Sequence, residues 1–122
     1  MQRFLIVCGA GGLGCGVRYL VSRYANTATF PYGTLIVNVV GSFIIALVLE
    51  ASLRRVAWLT PNITLGITTG FLGGLTTYSA FNYESTQLLL GDRPLRGALD
   101  IAVTLVACLA AGLLGLALAR RL

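Results

Sequence analysis

The chain has 122 residues, of which 57% are hydrophobic and only 11% are charged, and its mean hydropathy is +0.85. A soluble domain carries about 25% charged residues, so this composition indicates a membrane protein. The net charge is +5 and all nine basic residues are arginine. Because these arginines lie at the ends of apolar runs and form no basic stripe, we expect no nucleic-acid partner.

Four apolar runs are long enough to cross a bilayer, for which a helix needs about 20 residues. They cover approximately residues 4–21, 33–53, 62–90 and 95–119. Because Arg18 and Arg23 follow the apolar core of the first run, we interpret it as a retained span and not as a cleaved signal peptide. The connections are too short to hold a soluble domain. We therefore predict one four-helix transmembrane domain over residues 1–122, in a cell (inner) membrane and surrounded by membrane lipid.

The third run contains the most unusual sequence of the chain, which is Gly73-Gly74-Leu75-Thr76-Thr77. A glycine pair followed by two threonines serves no purpose in a continuous helix that faces lipid. Non-helical backbone at membrane depth is tolerated only where protein or a water-filled cavity surrounds it. We therefore predict that the third helix is broken at mid-membrane, where free carbonyls and half-helix ends can form an ion site.

Polar residues also recur at helical spacing inside two other spans. They are Thr34, Asn38 and Ser42 in the second span, and Asp100, Thr104 and Cys108 in the fourth. Residues four positions apart share one helical face, and polar side chains in membranes usually face a bundle interior or a path. Hydrogen bonds between helices would explain each residue taken alone. Together with a broken helix and the lack of an acidic cluster, they favour a path for an anion.

The charges of the loops predict how the chain inserts into the membrane. Four spans place five arginines on one side and four on the other, namely Arg3, Arg54, Arg55, Arg120 and Arg121 against Arg18, Arg23, Arg93 and Arg96. The positive-inside rule needs an asymmetry to fix one orientation. The near balance predicts insertion in both orientations, which permits an antiparallel homodimer. The alternative is that other features select a single orientation. Small-xxx-small pairs in the first span, Ala10/Gly14 and Gly12/Gly16, favour close helix packing.

Other motifs in the chain carry no chemistry. The run Gly9-Ala10-Gly11-Gly12-Leu13-Gly14 matches the dinucleotide fingerprint, but no βαβ pattern and no acidic residue about 20 positions later accompany it. The three cysteines, Cys8, Cys15 and Cys108, have no metal-binding spacing and are interpreted as small buried thiols. No histidine or lysine is present to activate a serine, so we do not predict an enzyme.

Two segments carry a resemblance to a known family. They are Gly33-Thr34-Leu35-Ile36-Val37-Asn38 and Gly70-Phe71-Leu72-Gly73-Gly74-Leu75-Thr76-Thr77-Tyr78-Ser79-Ala80-Phe81, and they resemble the CrcB/Fluc family of fluoride channels. The length, the four spans, the early Gly16-Val17-Arg18-Tyr19 and the balanced loop charge match as well. The resemblance covers essentially the whole chain, and a string such as the second one is hard to reach by chance inside a membrane span.

The resemblance implies an antiparallel, dual-topology homodimer with two separate fluoride pores. It also implies a structural sodium ion at the dimer centre, held by the backbone carbonyls of Gly73 and Thr76. The pore-lining residues carried over by the motif or expected on the same path are Asn38, Tyr78, Ser79, Phe81, Thr34, Thr104, Arg18 and Glu84. The chain departs from the family pattern at Tyr78, where phenylalanine is usual, and at Asn82 and Tyr83 after the second aromatic position.

The function that the resemblance implies is passive fluoride export, which lowers the cytoplasmic fluoride level. Fluoride holds its water tightly, so a path must offer replacement donors. The Asn38 amide, the Ser79 and Thr104 hydroxyls and the positive edges of aromatic rings are suited to this task. One alternative is a proton-coupled small multidrug exporter, which needs a carboxylate deep in the first span, whereas the first acidic residue here is Glu50. Another alternative is a structural subunit of a membrane complex; transport by the purified protein separates that reading from a channel.

Overall fold

A computed structural model describes residues 1–122, and the expectation of an all-α protein is confirmed. The α-helices are α1 (Gln2–Ala25), α2 (Tyr32–Leu53), α3 (Pro61–Leu65), α4 (Gly73–Leu75), α5 (Tyr78–Leu90) and α6 (Pro94–Ala119). A π-helical segment, Gly66–Leu72, joins α3 to α4. Three helices, α1, α2 and α6, are long and apolar enough to cross a membrane. The third predicted span corresponds instead to the consecutive shorter segments from α3 to α5.

The helix ends follow from local sequence chemistry. Pro61 and Pro94 occupy the first positions of α3 and α6, where a missing backbone N–H has no cost. The Thr60 hydroxyl accepts a hydrogen bond from the backbone N–H of Ile63 and caps α3. Between α1 and α2 the side chain of Asn26 accepts a bond of 2.7 Å from the backbone N–H of Gly33. These contacts replace the backbone bonds that each helix end lacks.

Two consecutive residues in the third predicted span leave the helical conformation. Thr76 has φ −85° and ψ 153°, and Thr77 has φ −153° and ψ 118°, so both are extended. The Thr77 hydroxyl then accepts a bond of 3.2 Å from the backbone N–H of Ala80 and caps α5. The segment Thr76–Thr77, called the interruption below, therefore separates α4 from α5.

Glycines let the helices meet at backbone distance. A Cβ at Gly14 in α1 would collide with the carbonyl oxygen of Phe71, and one at Gly74 would collide with the carbonyl of Gly11. The expected small-residue packing of the first span is therefore present at Gly14. Gly12 and Gly16, by contrast, face open space with no atom within 4 Å of an added Cβ. Only one side of α1 is packed within the protomer.

The remaining helices pack in the same manner. The segment α2 lies along α6, and α5 also packs against α6. Gly115 of α6 approaches the backbone of α2 at Phe43, and Gly97 of α6 approaches α5 at Leu89 and Ser85. At the C-terminal ends of α2 and α6, Glu50 forms ion pairs with Arg54 at 3.1 Å and with Arg120 at 3.5 Å. The second and fourth predicted spans thus form one unit on which α5 is held.

Most of the chain faces outward. Only 21 of the 122 residues are buried, and large apolar side chains such as Leu13, Val106, Leu109 and Leu113 are well exposed. A soluble monomer rarely exposes so much apolar surface. The surface is suited to lipid or to a second copy of the chain.

Candidate functional site

An open cavity of about 460 Å³ lies beside the interruption. We call it the central cavity. It is bordered by α2, the π-helical segment, α4, α5 and α6, and no charged side chain lines it. Six of the residues predicted to line a pore or hold sodium border it, namely Asn38, Gly73, Thr76, Tyr78, Phe81 and Thr104. Ser42 and Cys108, which helical spacing grouped with Asn38 and Thr104, border it as well. The structure therefore brings the second span, the interruption and the fourth span together at one place.

Asn38 is joined to the interruption by two hydrogen bonds. Its side-chain Nδ2 donates to the carbonyl oxygen of Thr77 at 3.1 Å, and the backbone N–H of Thr77 donates to its Oδ1 at 2.8 Å. The pair satisfies both backbone groups of an extended residue that has no helical partner. One Nδ2 hydrogen remains free, because an amide nitrogen carries two. Asn38 thus stabilises the interruption and has one N–H donor left for the central cavity.

The two aromatic residues after the interruption differ in exposure. Phe81 is buried, with 8% of its surface exposed, whereas Tyr78 is 77% exposed. Their ring centroids lie 5.9 Å apart with a tilt of 58°. In tilted pairs of this kind the positive ring edge is directed toward a neighbouring negative surface. Both rings border the central cavity.

Thr104 lies on the α6 side of the central cavity and is buried. Its hydroxyl donates to Asp100 Oδ1 over 3.3 Å, and the hydroxyl of Ser85 donates to Asp100 Oδ2 over 2.7 Å. Asp100 is 1% exposed. A carboxylate that is buried to this extent needs such donors. The Thr104 hydroxyl, expected from the sequence to donate to an anion, donates to Asp100 in this arrangement.

Four of the sequence-derived pore residues do not line the central cavity. Glu84 lines a separate cavity of about 210 Å³ between α5 and the α1–α2 connection. Its Oε1 accepts a bond of 3.3 Å from Asn26, and Thr34 lies beside its side chain. Thr34 and Glu84 are therefore neighbours of each other, but they lie outside the central cavity.

Ser79 and Arg18 are the other two residues outside the central cavity. The exposed hydroxyl of Ser79 pairs with the hydroxyl of Thr77 at 3.2 Å. Arg18 donates from Nη2 to the sulfur of Cys15 at 3.7 Å, and its buried Nε has no hydrogen-bond partner. Ser79 is thus close to the interruption, while Arg18 lies on α1.

The residues expected to hold sodium fit a cation that prefers oxygen. The backbone N–H and the hydroxyl of Thr76 both donate to the carbonyl of Leu72, at 3.0 and 2.9 Å. The carbonyl oxygen of Thr76 itself accepts no hydrogen bond within the chain. Gly73 borders the same cavity and is exposed. Carbonyl oxygens are the usual ligands of hard cations, so the chemistry of this edge is compatible with sodium.

The sequence did not single out every residue that lines the central cavity. Gly41 follows Asn38 by three positions on the same helix and makes room for the Thr76 methyl, which a Cβ there would overlap. The pairing of Thr77 with Asn38 was also not predicted. A threonine directly before a helix, as Thr77 is before α5, is nevertheless a recognisable cap signal. The apolar wall, formed by Ile45, Leu72, Leu105 and Leu109, has no sequence signal that distinguishes it from lipid-facing residues.

Comparisons with known proteins agree on one family. Residues 5–116 match the family described as CrcB-like protein, Camphor Resistance (CrcB). The chain is 40% identical over its full length to the whole fluoride-specific ion channel FluC of Citrifermentans bemidjiense. It is 44% identical to that of Geobacter metallireducens, with 92% of each chain covered, and 46% identical to that of Anaeromyxobacter dehalogenans, with 91% and 90% covered. The chain belongs to the CrcB-like family.

Proposed function

We propose that this protein is a fluoride-specific ion channel that lets fluoride leave the cell passively and so lowers its cytoplasmic level. The observation that carries the proposal is the identity of 40–46%, over 90% or more of each chain, to relatives named as fluoride-specific ion channels. The central cavity supports it, because Asn38, Tyr78, Phe81 and Thr104 meet there without a charged residue.

The chemistry of the central cavity suits a small anion. A permeating ion must exchange its water for protein groups, yet must bind weakly enough to leave. The free Nδ2 hydrogen of Asn38 and the ring edges of Tyr78 and Phe81 supply partial positive charge. A lysine or arginine in the cavity would hold fluoride too tightly for conduction. The neutral lining thus favours passage over storage.

The working unit in this proposal is an antiparallel homodimer with dual topology and two pores. The nearly balanced loop charge supports insertion in both orientations. The open side of α1 at Gly12 and Gly16, and the exposed Tyr78 at the mouth of the central cavity, leave surface for a second copy. Since four spans are too few to enclose a water-filled path, each pore takes part of its wall from the partner.

A sodium ion on the dimer axis is the second part of the proposal. The interruption lies at mid-membrane, and the carbonyls of Gly73 and Thr76 from both protomers supply four oxygens. The unpaired Thr76 carbonyl supports this arrangement, because a carbonyl without a hydrogen-bond partner is costly at membrane depth. A bound cation also offsets the cost of desolvating a nearby anion. The sodium is structural and is not transported.

The test is anion efflux from liposomes that hold only the purified protein. Fluoride efflux should be rapid, and chloride efflux should stay at the rate of protein-free liposomes. An electrode selective for each anion measures the two rates. Chloride efflux as fast as that of fluoride would contradict a fluoride-specific channel. No efflux of either anion would instead favour a structural subunit.

A further inference from the structure

Asp100 and Ser85 have no role in the function proposed above, yet they form a buried cluster with Thr104, which lines the central cavity. All three residues are buried, with 1%, 2% and 4% of their surfaces exposed. The helices α5 and α6 approach closely at Gly97, and this contact brings Ser85 within reach of Asp100. No arginine pairs with Asp100. Its only hydrogen-bond donors are two hydroxyls, of which one borders the central cavity.

The two hydroxyls are held with different strengths. The Ser85 bond to Oδ2 is 2.7 Å, which is the length of a charge-assisted O–H···O⁻ bond. The Thr104 bond to Oδ1 is 3.3 Å, longer than the usual range for hydroxyl donors. Asp100 therefore binds Thr104 less tightly than it binds Ser85, but Asp100 remains the acceptor of the Thr104 hydroxyl.

The direction of the Thr104 hydroxyl decides what the anion meets. A threonine hydroxyl carries one hydrogen and two lone pairs. When the hydrogen is donated to Asp100, only lone pairs remain for the central cavity, and these repel an anion. We propose that Asp100 is a positioning residue of the anion path, which turns Thr104 away from the cavity and thereby keeps anion binding weak. Weak binding favours release, which conduction requires. The inference rests on the proposed channel function.

The decisive variant is Asp100→Asn, which keeps the shape of the side chain. The amide oxygen retains the Ser85 bond, and the amide nitrogen donates to Thr104, whose hydrogen then turns toward the cavity. Fluoride efflux is measured in liposomes over a range of fluoride concentrations at matched protein content. The half-saturating fluoride concentration should fall about tenfold, as expected for one added hydrogen bond to a charged group. The maximal flux should fall as well, because release becomes slower.

Removal of a buried negative charge would favour an anion even without any effect on Thr104. The same substitution is therefore measured in a Thr104→Val background. If Asp100 acts through Thr104, most of the shift disappears there, so the two residues are coupled. An equal shift in both backgrounds would overturn the proposal and assign the effect to charge alone. Asp92→Asn removes a charge from the exposed α5–α6 connection and should leave the half-saturating concentration unchanged.

Thr104→Val alone gives an independent answer if Asp100→Asn does not assemble. In the proposed arrangement it removes lone pairs that face the anion, so the half-saturating fluoride concentration should fall. A rise would mean that Thr104 donates to fluoride in the native protein, and would overturn the proposal. An absence of wild-type fluoride flux would contradict the channel function together with this inference. Normal wild-type flux with an unchanged Asp100→Asn variant contradicts the inference alone.

Discussion

The side chain of Asn38 pairs with the backbone of Thr77 in both directions, with bonds of 3.1 and 2.8 Å across 39 positions of sequence. The Asn38 amide therefore satisfies the backbone N–H and C=O of Thr77, which in a regular helix would be paired with neighbouring turns. The pairing gives Asn38 two tasks, since it fixes the extended residue and also presents a donor to the central cavity. Any change at Asn38 acts on both the fold and the anion path.

Asn38→Asp should abolish most fluoride flux and lower thermal stability. The carboxylate has no hydrogen to donate to the Thr77 carbonyl, and the lost bond costs about 1 kcal/mol. Its charge opposes the anion by several kcal/mol more in a poorly solvated cavity. Fluoride efflux and the melting temperature of the purified protein measure the two effects. Asn82→Asp makes the same chemical change on the exposed side of α5 and should leave flux normal. Near-normal flux in Asn38→Asp would place the anion path elsewhere.

Tyr78→Phe should be tolerated, whereas Phe81→Ile should suppress fluoride flux. Tyr78 is exposed and loses only its hydroxyl. Phe81 is buried beside the central cavity, and isoleucine keeps apolar bulk but has no ring edge for an anion. Efflux at matched dimer content compares the two variants. Equal flux in both would show that the ring of Phe81 is not required.

Gly14→Ala should destabilise the protomer, whereas Gly12→Ala, on the side of α1 left open for a second copy, should change dimer content at most. An added Cβ at Gly14 would collide with the Phe71 carbonyl and lie 2.9 Å from the Leu75 nitrogen, while nothing lies near Gly12. Overpacking of this kind costs about 1–3 kcal/mol. Melting temperatures in detergent measure the difference. If both variants melt at the wild-type temperature, α1 does not pack against the π-helical segment and α4 as described.

Gly73→Val tests the sodium proposal with little disturbance of the protomer. A Cβ there meets only the Thr68 carbonyl at 3.8 Å, which is ordinary contact, so the protomer backbone does not exclude a side chain at this position. A loss of dimer content therefore reports crowding at the dimer axis. Replacing sodium by a larger monovalent cation should also lower dimer stability without changing which anion is transported. Unaltered melting after thorough removal of sodium would contradict the structural ion.

Both termini should be found on both sides of the membrane. The loop charge is nearly balanced, so neither orientation is favoured. Tags at the N- and C-termini, probed for accessibility in intact cells, measure the two populations. Addition of two arginines after Gln2 should shift the population toward one orientation and reduce flux. A wild-type chain with every N-terminus on one side would exclude the antiparallel homodimer.

The sequence predicted much of the central cavity because its residues carry strong local signals. Asn38 is an amide in an apolar span, and Gly73 and Thr76 belong to a run that no lipid-facing helix needs. Helical spacing alone, however, grouped Thr34 with Asn38. Four residues advance a helix by about 6 Å, which is enough to put the two side chains in different surroundings. Thr34 lies beside Glu84, and Asn38 faces Thr77.

Long-range pairings were beyond a reading of local pattern. The bond between Asn38 and Thr77, the Ser85–Asp100 contact and the fit of Gly41 to the Thr76 methyl all join separate helices. Each depends on how far two helices are rotated and slid past each other. Hydrophobic pattern specifies such rotations only coarsely, because in a membrane both the buried and the lipid-facing sides are apolar.

The π-helical segment Gly66–Leu72 sets the rotational phase of everything that follows it. A π turn holds one residue more than an α turn, and each residue of an α-helix rotates the chain by about 100°. If the same residues were wound as a regular α-helix, the extra residue would swing Thr77 by roughly a quarter turn away from Asn38. The π-helical segment packs against α1, and its wider turns therefore fix how the interruption is rotated relative to α1. The winding of this segment is consequently as important for the central cavity as the side chains that line it.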